Sequence, residues 1–241
     1  MMLVPSVFLY SSAPFTYQYN ASTQSSTDSR TYSFTSQSIG PEAASRRVIM
    51  LVSSADTTGN FGTLAPNIAG NSTTQIRLAQ YGDGDAGWGV MSGLYYQDIT
   101  TGTTATLGGT NIFQYTQEGC GVATWSLYDS KKLVRNSAQA VTFTSTTSLT
   151  ASIACQVGDL IVAGQVSSVT STSRTHTWSV TTGSVSLSEN FDSMIDNVTT
   201  DIYFSGASGI VTATSSGNVA VTCTTSGSGL LARALVVAAL R

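Results

Sequence analysis

The feature that most constrains this chain is a short apolar run that directly follows a basic pair. Arg46 and Arg47 lead into Val48-Ile49-Met50-Leu51-Val52, and the polar turn Ser-Ser-Ala-Asp follows. Five apolar residues are too few for a membrane helix, whereas a β-branched run between turn residues is typical of a strand covered on both faces. Residues 160–163 and 234–240 have the same character. The three runs therefore predict central strands of one β core.

The segments between these runs also favour an all-β protein. Residues 32–39 and 74–81 alternate polar and apolar side chains, and glycine-rich or Ser/Thr-rich turns separate such segments. We predict an antiparallel two-sheet sandwich or jelly roll over residues 31–241, because many short strands with little helix build these folds. Residues 1–30 end in a polar stretch without periodicity, which we interpret as an extended arm that is ordered against a neighbouring molecule or is simply mobile.

The sequence predicts at most one short helix, over residues 188–198. Four apolar residues there follow helical spacing, and Ser188 is placed to cap the helix. These residues are Phe191, Met194, Ile195 and Val198.

An internal similarity indicates two related halves. Val141-Thr142-Phe143-Thr144-Ser145 precedes the run at Leu160, much as Tyr32-Ser33-Phe34-Thr35-Ser36 precedes the run at Val48. Residues 219–223, before the last run, resemble a fainter third copy. Chance similarity in a Ser/Thr-rich chain is one reading. The other is matching strands in two halves of the domain, at about 31–135 and 136–241.

The low charge content indicates how the surface is used. Charged residues make up 10% of the 241 residues, against about 25% in ordinary soluble domains. Ser and Thr take the place of charged residues. The net charge of -3 is small for a chain of this size, so two copies repel each other only weakly. Native sheets usually protect their edges with charge, especially lysine. We therefore expect much of the surface to contact other protein, including further copies of this chain.

Several partner classes are not expected. The ten Lys and Arg residues are scattered, so the sequence shows no basic patch for nucleic acid. The apolar start at residues 1–5 has no positively charged segment and is too short for a signal peptide, so neither export nor membrane insertion is expected.

Few residues point to catalysis or to a cofactor. The chain has one histidine, His176, and no nucleophile-elbow sequence surrounds a serine, so we expect no catalytic residues. The three cysteines lack the paired spacing of a metal site, so neither a metal nor another cofactor is expected. Cys155 and Cys223 lie in alternating strands, where buried thiols are favoured over a disulfide between them. A glycosidase would need two carboxylates beside a cleft, and the candidates are Asp83 with Asp85, or Glu189 with Asp192 and Asp196. The first pair is interpreted as part of a flexible loop and the second set as the polar face of the helix, so neither is expected to be catalytic.

One loop is a candidate ligand site. Asp83 and Asp85 flank a glycine, and Trp88 follows in the same glycine-rich segment. The two carboxylates could contribute to a calcium site, although a plain turn is favoured because the remaining ligands of a calcium loop are missing. Trp88 could stack on a sugar ring, and the alternative is an aromatic ring folded back over the sheet.

The order of strand sequences resembles structural proteins of tailed bacteriophages of marine bacteria. The similarity covers residues 31–241 and lies in strand sequences: the Tyr-Ser-Phe-Thr-Ser segment, the run after Arg47, Val157-Gly158-Asp159-Leu160-Ile161-Val162-Ala163, and the closing Leu-Val-Val-Ala-Ala-Leu strand. The resemblance implies a β-sandwich virion component without catalytic residues. It also implies a capsid decoration or cement protein that binds the major capsid protein or other virion proteins, or a tail or fibre-associated module that binds a host receptor or carbohydrate.

Overall fold

The computed structural model describes residues 15–57, 59, 62–82, 89–130, 133–169, 174–181, 185–195, 201–212, 218–227 and 229–241. This part of the chain is all strand and loop, with no helix, so the predicted all-β class is confirmed. The first half contains β1 (Thr16–Ser25), β2 (Tyr32–Ser38), β3 (Arg47–Asp56), β4 (Asn67–Ile68), β5 (Asn71–Ser72), β6 (Thr74–Gly82), β7 (Gly89–Asp98), β8 (Thr104–Gly109) and β9 (Gly119–Tyr128). The second half contains β10 (Val134–Thr142), β11 (Ser148–Ala154), β12 (Leu160–Val169), β13 (His176–Val180), β14 (Ser188–Ile195), β15 (Asp201–Ile210), β16 (Asn218–Thr225) and β17 (Leu230–Leu240).

The strands form four antiparallel sheets, two from each half. Inner sheet 1 has the order β1-β9-β3-β7-β6, and outer sheet 1 has the order β2-β8-β4-β5. Inner sheet 2 has the order β10-β17-β12-β15-β14, and outer sheet 2 has the order β11-β16-β13. The chain passes back and forth between the inner and the outer sheet of its half, as in a jelly roll.

The four sheets stack as layers, with the two inner sheets against each other. Alternate residues of the central strands explain this, because the two faces of each strand enter different apolar clusters. Leu51 of β3 lies in the cluster between the inner sheets, whereas Met50 faces outer sheet 1. Val162 of β12 likewise faces inner sheet 1, and Ile161 faces outer sheet 2. The predicted sandwich is therefore a stack of two sandwiches, and the apolar runs are central strands because sheets cover both of their faces.

The two halves share strand order and register. Arg47 at the start of β3 pairs with Asp98 and Leu127 on the two flanking strands. Leu160 at the start of β12 pairs in the same way with Ile210 and Leu240. By this correspondence β2 matches β11, and β16 matches β8, so residues 219–223 do not begin a third copy.

The halves face each other as two copies would in a symmetric dimer. β1 and β6 are the two edge strands of inner sheet 1, and β10 and β14 are the two edge strands of inner sheet 2. β1 contacts β14 and β6 contacts β10, so the same pair of equivalent edges meets on both sides of the molecule. At the centre, β3 crosses β12, where Leu51 packs onto Gly164 so closely that a Cβ there would lie 2.3 Å from the leucine Cδ1.

Part of the predicted N-terminal arm belongs to the fold. Thr16–Ser25 forms β1, which pairs with β9 of the same chain. Tyr19 holds it there, because its ring lies 5.7 Å from the ring of Trp125 and 5.9 Å from that of Phe191. A register shift between Tyr19 and Ala21 interrupts the alternation, which is why the sequence shows no strand periodicity. Residues 1–14 of the arm lie outside the described residues.

The predicted helix at 188–198 is wrong over its described part. Ser188–Ile195 is β14, the edge strand beside β15. Phe191 and Ile195 are buried and face the same way, but residues four apart share a face in a strand as well as in a helix. Met194, which the helical spacing placed on the apolar face, is exposed. Asp196 and Val198 lie outside the described residues.

Candidate functional site

The predicted loop site cannot be placed within the structure. Asp83, Asp85 and Trp88 lie outside the described residues. The flanking strands β6 and β7 are paired up to Gly82 and Gly89, so the segment joins two neighbouring strands at one edge of inner sheet 1.

The structure reveals a polar layer inside the second half. It lies between inner sheet 2 and outer sheet 2, beyond the apolar cluster that joins them. Strand register places Gln165 opposite Ser205, Ser167 opposite Arg233, and His176 opposite Thr225. All of these residues are buried. Cys223 joins the layer through its thiol, which lies 3.8 Å from Gln165 Oε1.

His176 and Asp192 connect the two sheets at one end of this layer. His176 Nδ1 lies 2.7 Å from Asp192 Oδ1, and the backbone N–H of His176 donates to Asp192 Oδ2 at 2.8 Å. The contact joins β13 of outer sheet 2 to β14 of inner sheet 2. The sequence gave no sign of this contact, since Asp192 was assigned to a helix.

Arg233 and Cys223 form the other end of the layer. Arg233 is fully buried, and its guanidinium donates to the carbonyl oxygens of Cys223 at 2.9 Å and of Thr146 at 3.2 Å. Burial lowers the pKa of the Arg233 guanidinium and raises the pKa of the Cys223 thiol. Both effects follow from the cost of holding a charge away from water.

Five polar atoms of the layer have no hydrogen-bond partner among the described residues. They are Gln165 Nε2, Ser167 Oγ, His176 Nε2, Thr225 Oγ1 and Arg233 Nε. Nucleophilic catalysis by a histidine requires a hydroxyl or thiol within hydrogen-bond reach of its free nitrogen. His176 Nε2 has no such contact in the described part of the chain, and the contact between His176 and Asp192 joins β13 to β14.

Two residues of the polar layer have apolar counterparts in the first half. The shared register matches Gln165 with Val52, and Arg233 with Cys120. Val52 and Cys120 both lie in the apolar cluster between inner sheet 1 and outer sheet 1. The two halves therefore have the same topology but differently composed interiors.

The outer sheets have an unusual surface. None of their seven strands, which are β2, β4, β5, β8, β11, β13 and β16, contains Asp, Glu, Lys or Arg. On outer sheet 2 the exposed side chains form hydroxyl pairs across strands: Ser148 and Thr224 lie 2.9 Å apart, and Thr150 and Thr222 lie 2.8 Å apart. The strands at both ends of the four-layer stack thus carry no charged side chain.

The eight sheet edges differ in how they are protected. Edge strands β1, β2, β6, β10 and β14 each contain a register shift. Edge strands β5 and β13 are only 2 and 5 residues long. β11 has 7 residues, no charge, no proline and an uninterrupted register. Within the described residues it is the one edge strand that lacks all of the usual protections.

Exposed apolar side chains concentrate near the same side of the molecule. Large exposed hydrophobic residues of the described chain include Leu133, Val134 and Val141, which lie on or beside β10, and Val157 in the turn after β11. β10 packs directly against β11 in the layer stack.

The described residues contain one small surface pocket of note and few features of a ligand centre. The pocket, of about 220 Å³, lies between the β4–β5 hairpin and Tyr95. Within the described part, no cluster of three or more His, Cys, Asp or Glu side chains is placed to hold a metal ion, and no helix could cross a membrane. Cys120, Cys155 and Cys223 are buried thiols that form no disulfide, so the prediction of buried thiols is confirmed.

Comparison with known proteins gives no relative: no family model, no curated protein and no solved structure matches this chain.

Proposed function

We propose that this chain is a non-enzymatic structural protein of a bacteriophage virion, most specifically a capsid decoration or cement protein. Its role would be to stabilise the coat lattice by covering the major capsid protein or other virion proteins. The observation that carries the proposal is the absence of charged residues from all seven outer-sheet strands.

The physical argument is the low cost of covering such a surface. Burying a charged side chain in an interface requires a partner charge or a large desolvation penalty, whereas hydroxyls and backbone groups need only hydrogen bonds. A standard interface buries about 800 Å² on each partner, which is less than a tenth of the 10498 Å² of accessible surface here. Covering a small fraction of the accessible surface would therefore be enough for a stable contact.

The resemblance to structural proteins of tailed phages of marine bacteria supports the virion context. The four-layer stack supports a structural role, since it presents two uncharged outer sheets on opposite sides of one molecule. Such an arrangement suits a protein that bridges neighbouring subunits.

The direct test is to locate the protein on particles. Particles from a culture that encodes the chain are purified by density gradient, analysed by mass spectrometry and labelled with an antibody for electron microscopy. We expect the chain at a fixed stoichiometry to the major capsid protein, with label over the head. A chain that stays in the soluble fraction while intact particles lack it would overturn the proposal.

Introducing a charge into an outer sheet tests whether the lack of charge there matters for binding. Thr222→Lys places a charge in the middle of the exposed face of outer sheet 2, and we expect weaker binding to particles that have been stripped of the protein. Arg77→Lys on inner sheet 1 is the matched control, since it leaves the outer faces unchanged. Equal binding by both variants would show that the outer face of sheet 2 is not the contact.

Deletion of the N-terminal segment tests the arm. Removing residues 1–28 would also remove β1, so the informative variant lacks residues 1–14 only. We expect it to fold and to bind particles less tightly. Full occupancy at native affinity would exclude a role for this segment in attachment.

A second candidate function is recognition of a host receptor or carbohydrate by a tail or fibre-associated module. Trp88, between two sheet strands and close in sequence to Asp83 and Asp85, favours it. A glycan array with and without calcium decides between the two, because a cement protein should bind no glycan. Glycan binding that is lost in Trp88→Ala would favour this alternative.

A further inference from the structure

We infer that β11 pairs with β11 of a second copy of this chain, joining two outer sheets 2 into one six-stranded sheet. This inference deepens the proposed function by naming a partner, and it can fail while the proposed function stands. Four observations lead to it: the hydrogen-bonding phase of the edge, its lack of protection, its self-complementary sequence and the apolar residues beside it.

The phase of the ladder shows which backbone groups of β11 point outward. Thr225 N–H donates to Thr147 O at 2.8 Å, so residues 147 and 225 form a hydrogen-bonded pair. In an antiparallel ladder such pairs alternate with pairs that are not hydrogen-bonded. The backbone groups of Leu149, Ala151 and Ile153 therefore bind β16, and those of Ser148, Thr150 and Ser152 point to the free edge.

Nothing on β11 discourages pairing with another strand. Among the described edge strands, it alone combines a length above five residues with an unbroken register and no charge. Exposed edges of this kind are templates for strand addition. Because the strand carries no charge, two copies do not repel one another there.

The sequence of β11 is close to a palindrome in residue class, which identifies a second copy as the partner. About Ala151, Thr150 mirrors Ser152 and Leu149 mirrors Ile153. When two such strands run antiparallel with Ala151 opposite Ala151, hydroxyls meet hydroxyls on the exposed face and aliphatic side chains meet on the buried face. An interface formed by one surface on both partners is what a two-fold dimer requires.

The register that places Ala151 opposite Ala151 also lets the outward-pointing backbone groups of the two strands form hydrogen bonds. With Ala151 on the two-fold axis, the outward-pointing Thr150 and Ser152 become a hydrogen-bonded pair. Ala151 meets its symmetry mate in a pair that is not hydrogen-bonded, where side chains approach most closely and small ones fit best.

The neighbouring layer provides apolar area for the same contact. β10 packs against β11, and Leu133, Val134 and Val141 on or beside it are exposed. Pairing through β11 brings this side of one molecule toward the same side of the other. Burying exposed apolar side chains would add to the backbone hydrogen bonds of the new ladder.

The association test uses two matched lysine substitutions on the full chain. Thr150→Lys and Thr177→Lys each add one charge at an exposed threonine, on the two opposite edge strands of outer sheet 2. By analytical ultracentrifugation we expect the native chain and Thr177→Lys to dimerise, and Thr150→Lys to dimerise at least ten-fold more weakly. A native chain that remains monomeric at all accessible concentrations would overturn the inference, while the particle experiment would still decide the proposed function.

The register test uses two cysteine variants, Thr150→Cys and Ser152→Cys. In the inferred dimer, residue 150 faces residue 152 of the other copy, whereas the two copies of residue 150 are diagonal neighbours at about 7–8 Å, too far for a disulfide. A mixture of the two variants should therefore form a disulfide-linked dimer under mild oxidation, and neither variant alone should. The same experiment with Thr177→Cys and Ser179→Cys on β13 is the control and should give none. Linkage in the Thr150→Cys variant alone, or equal linkage through β13, would overturn the inferred pairing.

Discussion

Arg46 gives the sharpest test of what holds the first half together. It is fully buried, and its guanidinium donates five hydrogen bonds of 2.6–2.8 Å to backbone carbonyls. The acceptors lie in the two segments that flank outer sheet 1: Gly40 and Pro41 after β2, and Ile99, Thr101 and Gly102 before β8. One side chain therefore fixes two of the connections between the inner and the outer sheet of the first half, β2–β3 and β7–β8.

The expected cost of Arg46→Met follows from these contacts. Hydrogen bonds to a charged group contribute about 1.5–3 kcal/mol each, but the buried guanidinium also loses its hydration, which offsets much of that sum. Removing the donor leaves five carbonyl groups, some of which can reach water because Pro41 and Thr101 are exposed. We expect the free energy of unfolding to fall by about 3–5 kcal/mol, the range for breaking a buried charged network.

Arg47 is the matched control, since it follows directly in the sequence. Its guanidinium pairs with Asp98 at 2.8 Å and lies 3.9 Å from the ring centroid of Tyr96. The Asp98 side chain is 37% exposed, so solvent screens the pair, and Arg47→Met should cost about 1 kcal/mol.

Urea denaturation followed by fluorescence of the buried Trp125 and by far-ultraviolet circular dichroism measures both variants. Equal costs for the two arginines, or a cost below about 1 kcal/mol for Arg46→Met, would refute the claim that the carbonyl contacts stabilise the fold.

Three further predictions follow from the interior. Gly164→Ala should lower the free energy of unfolding by about 1–3 kcal/mol, because the added Cβ would meet Leu51. In a double-mutant cycle with Leu51→Ala, the two single costs should sum to more than the cost of the double variant. Strict additivity of the two costs would contradict the close approach. Asp192→Asn should lower the free energy of unfolding by roughly 1–3 kcal/mol, because it weakens the contact with His176. The midpoint of urea denaturation measures this loss, and an unchanged midpoint would contradict the prediction. Burial, and then the charge of Asp192, raise the pKa of Glu189, so the folded state binds a proton more tightly than the unfolded state and stability falls as pH rises above about 4.5. Glu189→Gln should therefore have the higher melting temperature at pH 7 and the same one as the native chain well below pH 4, and the opposite order at pH 7 would show the sign to be wrong.

Some of this architecture could be predicted from local pattern. The runs at Val48, Leu160 and Leu235 are central strands because every residue in them is apolar, and a strand with no polar face must be covered on both sides. The alternation in residues 32–39 predicts a strand with one solvent-exposed face, and this segment contains β2 of outer sheet 1. The interpretation of the chain as two related halves drew on the same runs, although the pairing of 141–145 with 32–36 placed the match one strand too early.

Other features depend on residues that are far apart in the sequence. The apolar spacing in 188–198 fits both a strand and a helix, and only pairing with β15 makes it a strand. The polar layer brings together Gln165, His176, Asp192 and Arg233 from four strands, and no local motif marks any of them.

The amino-acid sequence by itself determined that this chain is all-β and that its charge content is low, because both properties are sums over local residue choices. Only the tertiary structure decided that the sheets stack in four layers, that β1 closes on its own chain, and that both outer sheets are built from strands without a charged residue. Those facts depend on which strands meet, and strand pairing is set by packing between distant segments.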